Sequence, residues 1–219
     1  LEDGDPYYYY KGSGTISSDI DLYFDGKGYL EVNSKNKEGI ESKGNLIFSG
    51  GEGEYVVNAY DDCLNTTTDY SENPNAHNDI TINVKSLVAI VDTEADEGDA
   101  IDSNGELIIE GGSVVAIAKQ GADSGLDSNN GTYINGGTVL ATTSMMDQIS
   151  VDSKQRFISL SYGENMNESS LVALLDGNDL VFAFRSDRTY SGLVFSSDKL
   201  ADKAYYLYKD GEVNGTELY

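Results

Sequence analysis

The sequence predicts an all-β protein: a parallel β-helix closed by a C-terminal antiparallel β cap. Three observations predict it. A short unit recurs with a step near 24 residues, apolar residues within each unit alternate with a period of two, and both features fade near residue 156. Tandem units of this length that cannot bury their apolar row alone must stack on one another. Between Tyr29 and Thr143 no apolar pattern with helical spacing is sustained.

At the start of the chain, Tyr7-Tyr8-Tyr9-Tyr10 reads as a strand covering the N-terminal edge. The repeat is clearest in the middle. Gly105-Glu106-Leu107-Ile108-Ile109-Glu110-Gly111-Gly112 resembles Gly131-Thr132-Tyr133-Ile134-Asn135-Gly136-Gly137, and Gly44 to Gly51 is a third copy. Asp79 to Asn83 is a fourth copy without the Gly pair. A second marker, an apolar residue followed by a polar one, recurs at Ile40, Leu64, Ile101 and Leu126, with a weaker fifth at Ile149. Stacking the copies places Phe48, Ile82, Ile109 and Ile134 in one inward ladder, and the five marker residues in another. The long step from Leu64 to Ile101 holds an insertion at about residues 67–78, rich in Asn, Asp and Ser, which reads as a surface loop. The coils therefore occupy residues 1–156. Residues 157–219 carry longer apolar runs at 171–175, 180–184 and 204–208, with a hairpin turn at Asp176-Gly177-Asn178-Asp179. They read as an antiparallel meander packed on the same solenoid, shielding its open end.

Composition narrows function. The chain has 219 residues, 38 acidic and 14 basic, for a net charge of −24. That excludes a sequence-independent grip on phosphate backbones, which needs Lys and Arg, and argues against docking on anionic membranes. No apolar run is long enough for a membrane helix. One Cys and one His exclude an internal disulfide and a multi-His metal site. No phosphate loop, dinucleotide fingerprint or nucleophile elbow occurs. Acidity with abundant Tyr and almost no Cys fits a bacterial extracellular or cell-surface protein, expected to be a monomer.

The polar residues around the marker carry the chemistry. Glu41, Asn65, Asp102 and Asp127 follow it, and Asp61, Asp62, Asp99 and Asp123 precede it. Stacked carboxylates about 4.8 Å apart repel by roughly 3.5 kcal/mol at an effective dielectric of 20. A cation between them removes that cost. Calcium suits the oxygen-only donor set, whereas magnesium demands a tighter octahedron and zinc prefers His or Cys. One calcium is expected among Asp99, Asp102, Asp123 and Asp127, and a second among Asp61, Asp62, Asn65, Asp99 and Asp102. The competing reading is that these acids form solvated Asx-turns.

Gly98-Asp99-Ala100-Ile101-Asp102-Ser103-Asn104-Gly105, followed by Ile108 to Ala116, is similar to a recurring motif of the carbohydrate-binding family described from cellulolytic clostridia, with relatives in gut bacteria. Tyr190 to Ser197 and Tyr205 to Tyr208 resemble that family's end. The likeness spans roughly Gly28 to Tyr219, with Ala100 standing where the family has Gly and the first coils missing or degenerate before Gly28. It implies a right-handed, single-stranded parallel β-helix related to pectate lyases, calcium held by stacked Asp residues, and binding of acidic sugars and cellulose.

The expected function is calcium-dependent binding of polysaccharide, such as polygalacturonate or cellulose, without catalysis. Tyr60 and Tyr70 flank the acidic corner and could stack on sugar rings. Two alternatives remain. A lyase would need a base beside calcium, for which Lys119 is the one candidate in the repeat. A passive adhesion or structural module would use calcium for stability alone.

Overall fold

The computed structural model describes residues 14–68, 75–92, 94–95, 98–118, 121, 123–144, 147–212, 215 and 217–218. Tyr7 to Tyr10, Tyr70 and Lys119 lie outside them. Five coils stack, each built from two or three short strands. The first holds β1 (Ile16–Ser18), β2 (Leu22–Phe24) and β3 (Gly28–Asn33). The second holds β4 (Ile40–Ser42), β5 (Leu46–Phe48) and β6 (Gly53–Ala59). The third holds β7 (Leu64–Thr66) and the long β8 (Ile80–Val91), which turns through both remaining faces. The fourth repeats this with β9 (Ile101–Ser103) and β10 (Leu107–Ile117). The fifth holds β11 (Asp127–Ser128), β12 (Thr132–Ile134) and β13 (Thr138–Thr143). Every coil-to-coil pairing is parallel.

The register follows from which residues can enter the core. Phe24, Phe48, Ile82, Ile109 and Ile134 stand in one inward ladder, which bears out the four residues expected there and adds a fifth. Phe24 and Phe48 stack at 4.9 Å between ring centroids, and Tyr55 meets both edge-on. On the third face Leu30, Tyr55, Leu87, Val114 and Val139 form a parallel row. Ile16, Ile40, Leu64 and Ile101 line the first face. All three rows meet in one apolar cluster. Alternation along β8 and β10 makes a sharp contrast testable: Ile82→Val removes a fully buried methylene and is expected to cost about 0.5–1.5 kcal/mol, while Ser113→Ala on exposed surface stays within about 0.5 kcal/mol in denaturant unfolding.

Corners use two devices. The Gly pairs make the tight turn between the second and third faces. Gly112 and Gly137 have φ of 100° and 89°, and a Cβ on either would lie within 2.3 Å of the carbonyl oxygen of the neighbouring coil. At the opposite edge of the second face, an Asx ladder joins the coils: Asp21 Oδ1 accepts the Asn45 N–H, Asn45 Oδ1 that of Asp79, and Asp79 Oδ1 that of Glu106.

The structure corrects three expectations. The coil before Gly28 is neither missing nor degenerate, because Ile16, Leu22 and Gly28 pair in register with Ile40, Leu46 and Gly53. Ile149 does not continue the marker row; it bridges to Thr132 and so sits on the second face. The long step contains a second insertion beyond 67–78, since Val91 and Ile101 are separated by twice as many residues as Ala59 and Leu64.

After residue 156 come β14 (Phe157–Met166), β15 (Leu171–Asp176), β16 (Asp179–Arg185), β17 (Tyr190–Ser196) and β18 (Tyr206–Lys209). β17 lies antiparallel on β13 and β14 on β17, so the free edge of the third face is paired. β16, β15 and β18 form a separate antiparallel sheet, turning at Gly177–Asn178 as expected. That sheet covers the flank of the solenoid. Val172, Leu174, Phe182 and Phe184 pack with Val115, Ile117 and Leu140, outward residues of the third face, and with Leu193 and Phe195 of β17. Among the described residues no helix is long and apolar enough to cross a membrane.

Candidate functional site

The site lies along the first face and the corner leading into it. Glu41, Asn65, Asp102 and Asp127 are register partners, one per coil, as the sequence suggests. The preceding row is different. Aligning the markers places Glu38, Asp62, Asp99 and Ser124 in one row, two residues before each apolar partner, and the backbone bonds agree: Gly39 N–H donates to Asp62 O, Cys63 N–H to Asp99 O and Ala100 N–H to Ser124 O. Asp61 and Asp123 stand one residue earlier, and Asp61 faces Lys37 Nζ at 3.6 Å. Between the two acidic rows the chain turns inward at Gly39, Cys63, Ala100 and Gly125. This row takes only small side chains, and Ala100 fits it with no exposed surface.

Three of the named acids converge. Asp99, Asp102 and Asp127 each offer a carboxylate oxygen within 4.8 Å of the others. Asp123 is not in this group. Asp62 borders it with both oxygens engaged: Oδ1 accepts the Asp99 N–H at 2.8 Å and Oδ2 accepts Asn65 Nδ2 at 2.6 Å. Asp99 Oδ1 in turn accepts the Ser124 N–H. Asp62 and Asp99 thus repeat the Asx-ladder device seen elsewhere, so part of the competing turn reading is correct for them. Among the described residues Asp102 and Asp127 accept no backbone N–H from a neighbouring coil; they face the cluster with their charge.

Electrostatics are strained throughout. Burial, reinforced by the neighbouring carboxylates, pushes Asp99 up to about 8 and Asp102 to about 7. Burial likewise lifts Asp62 to about 6, against hydrogen bonds from the Asp99 N–H and Asn65. Asp127 is raised by burial and then by Asp147, and Glu38 by burial and the charges of Asp61 and Glu41. Among the described residues no Lys or Arg lies within 4 Å of Asp62, Asp99, Asp102 or Asp127. Two further atoms of the site are buried without a hydrogen-bond partner, Glu38 Oε2 and Asn65 Oδ1. Asn65 is only 7% exposed and is the register neighbour of Asp102. A buried acceptor left unpaired costs about 1–3 kcal/mol.

Sequence reasoning missed two acids. Glu38 was legible two positions before Ile40. Asp147 stands two positions before the weak fifth marker, Ile149, and was legible in the same way; its Oδ2 accepts Ser128 Oγ at 3.4 Å. Tyr60 is half-buried at the turn ahead of Asp61. His77 is remote in role, with Nδ1 2.9 Å from Asp79 Oδ1 in the opposite corner ladder.

No curated protein and no solved structure matches the chain. The matched part of the sequence does not include Gly98 to Ala116 or the tail, and it does include the coil before Gly28. Residues 1–81 match a family model described as a carbohydrate-binding domain-containing protein, and together with the parallel β-solenoid this supports polysaccharide binding.

Proposed function

We propose that the chain binds an acidic polysaccharide through calcium held at the first face, as a non-catalytic module outside a bacterial cell. The observation that carries this reading is the convergence of Asp99, Asp102 and Asp127 with no cationic partner among the described residues. The donor set fits a hard cation that takes six to eight oxygens. Asn65 Oδ1 fits as well, because a cation is the one neighbour that would satisfy both an orphaned carbonyl oxygen and adjacent repelling carboxylates. Asp62 holds Asn65 and the Asp99 backbone in place. Calcium, when bound, supplies the positive charge that lets an acidic sugar approach a chain of net charge −24. A site of three partly buried carboxylates suits the weak affinities of extracellular calcium modules, roughly 10⁻⁴–10⁻³ M. The family model over residues 1–81 names a carbohydrate-binding domain, which favours binding over catalysis.

A pull-down on insoluble polygalacturonate tests this. The protein is expected on the solid phase with calcium and mostly in the supernatant with excess chelator, without unsaturated uronide in either. Asp102→Asn and Asp127→Asn should each lower retention at least tenfold while remaining folded. Retention that ignores chelator would remove calcium from the glycan site, and unsaturated product would make the protein a lyase.

A further inference from the structure

A cleft of about 640 Å³ lies between the segment 151–158, which crosses the end of the solenoid, and the turn at 200–205. Its lining is unusual for this chain. Lys154, Arg156 and Lys203, three of only 14 basic residues, face it, with Asp202 the acid among its lining residues. Lys203 is paired with Asp176, and Lys154 lies 4.0 Å from Glu110. The exposed Arg156 guanidinium has neither an ion pair nor a hydrogen bond to any described residue. Tyr205 supplies an aromatic wall whose orientation is fixed, because its hydroxyl accepts the Ala201 N–H at 2.7 Å and Lys203 Nζ sits 5.5 Å over its ring. Val151, 91% exposed, and the partly buried Phe157 add apolar surface.

We propose that this cleft is a second, calcium-independent subsite for a carboxylated sugar, with Arg156 as the carboxylate anchor and Tyr205 as the stacking platform. A guanidinium meets a carboxylate through two parallel N–H donors, and an aromatic face takes the C–H side of a sugar ring. A polyphosphate or nucleic acid is a poor fit, since a single unpaired cation cannot offset the acidic surroundings. The subsite rests on the acidic-glycan reading above and extends it to the segment 151–158, where Arg156 is a cation without an acidic partner among the described residues.

Calorimetric titration with a short galacturonate oligomer tests it, once with calcium and once with excess chelator. In chelator, wild-type protein is expected to keep weak binding that falls with salt. Arg156→Gln should lose about tenfold or more, Arg156→Lys should lose part of the affinity, and Lys85→Gln, an exposed charge-matched change in the third coil, should bind like wild type. Equal binding by Arg156→Gln and wild type in chelator overturns the subsite. Wild-type binding with calcium but none in chelator overturns the subsite alone and leaves the calcium site standing. No binding in either buffer overturns both.

Discussion

Chelating calcium is expected to lower the melting temperature of this protein by about 5–10 °C relative to calcium at a hundredfold its dissociation constant. The size follows from linkage: a ligand that binds only the folded state at that excess contributes about 2.7 kcal/mol, and each kcal/mol is about 2–4 °C in a chain of 150–250 residues. Binding only to the folded state is a fair premise, because Asp99, Asp102 and Asp127 come from two coils and meet only when β9 and β11 are in register. The effect should be specific. Magnesium at the same concentration should give much less, since nothing in the cluster is arranged to meet a small octahedral ion. Asp127→Asn removes one of the three charges and should shrink the calcium-dependent shift by at least half. Scanning calorimetry reads all three. Identical melting with calcium and with chelator would reduce the cluster to the turn-forming acids of the competing reading.

Much of the fold is legible because a solenoid writes its register into the sequence. A ladder such as Phe48, Ile82, Ile109 and Ile134 needs an apolar residue at each step, and the Gly pairs mark where the chain must turn. The same economy explains the errors. An apolar residue followed by a polar one occurs on every face, so Ile149 fits the marker row by local pattern, and only pairing with Thr132 places it on the second face. The first coil hid because its outward residues, Ile20, Tyr23 and Tyr29, are large and exposed and blur the alternation. The flank packing had a signal that periodicity discards. Val114-Val115-Ala116-Ile117 is a continuous apolar run, which means burial on both faces, and β15 and β16 carry matching runs. In the site, naming the acids was easier than pairing them. Asp99 and Asp123 look equivalent, yet aligning Ile101 with Leu126 puts Ser124 opposite Asp99, and a slip of one residue in a strand reverses the side chain.

Without calcium, the protein is expected to melt higher at pH 5 than at pH 8, the reverse of what paired carboxylates give. In the unfolded chain these carboxyls release their protons near pH 4. In the folded chain Asp62, Asp102 and Asp99 hold theirs to about 6, 7 and 8. Between pH 4 and 8 the folded state therefore binds more protons, so stability falls as pH rises through that window and is lowest above it. One carboxyl raised by two units is worth about 2.7 kcal/mol, which is about 5–10 °C here. Calcium competes with the same protons, so its stabilisation grows with pH, and the gap between loaded and chelated melting temperatures should widen from pH 5 to pH 8. General repulsion in a chain of net charge −24 also favours low pH, and Asp99→Asn separates the two causes. The amide keeps a carbonyl oxygen for the Ser124 N–H but carries no charge. In chelator this variant should melt above wild type at pH 8 and match it more closely at pH 5, with a flatter profile between. A variant profile parallel to that of wild type would assign the pH dependence to the net charge of the whole chain and not to the buried cluster.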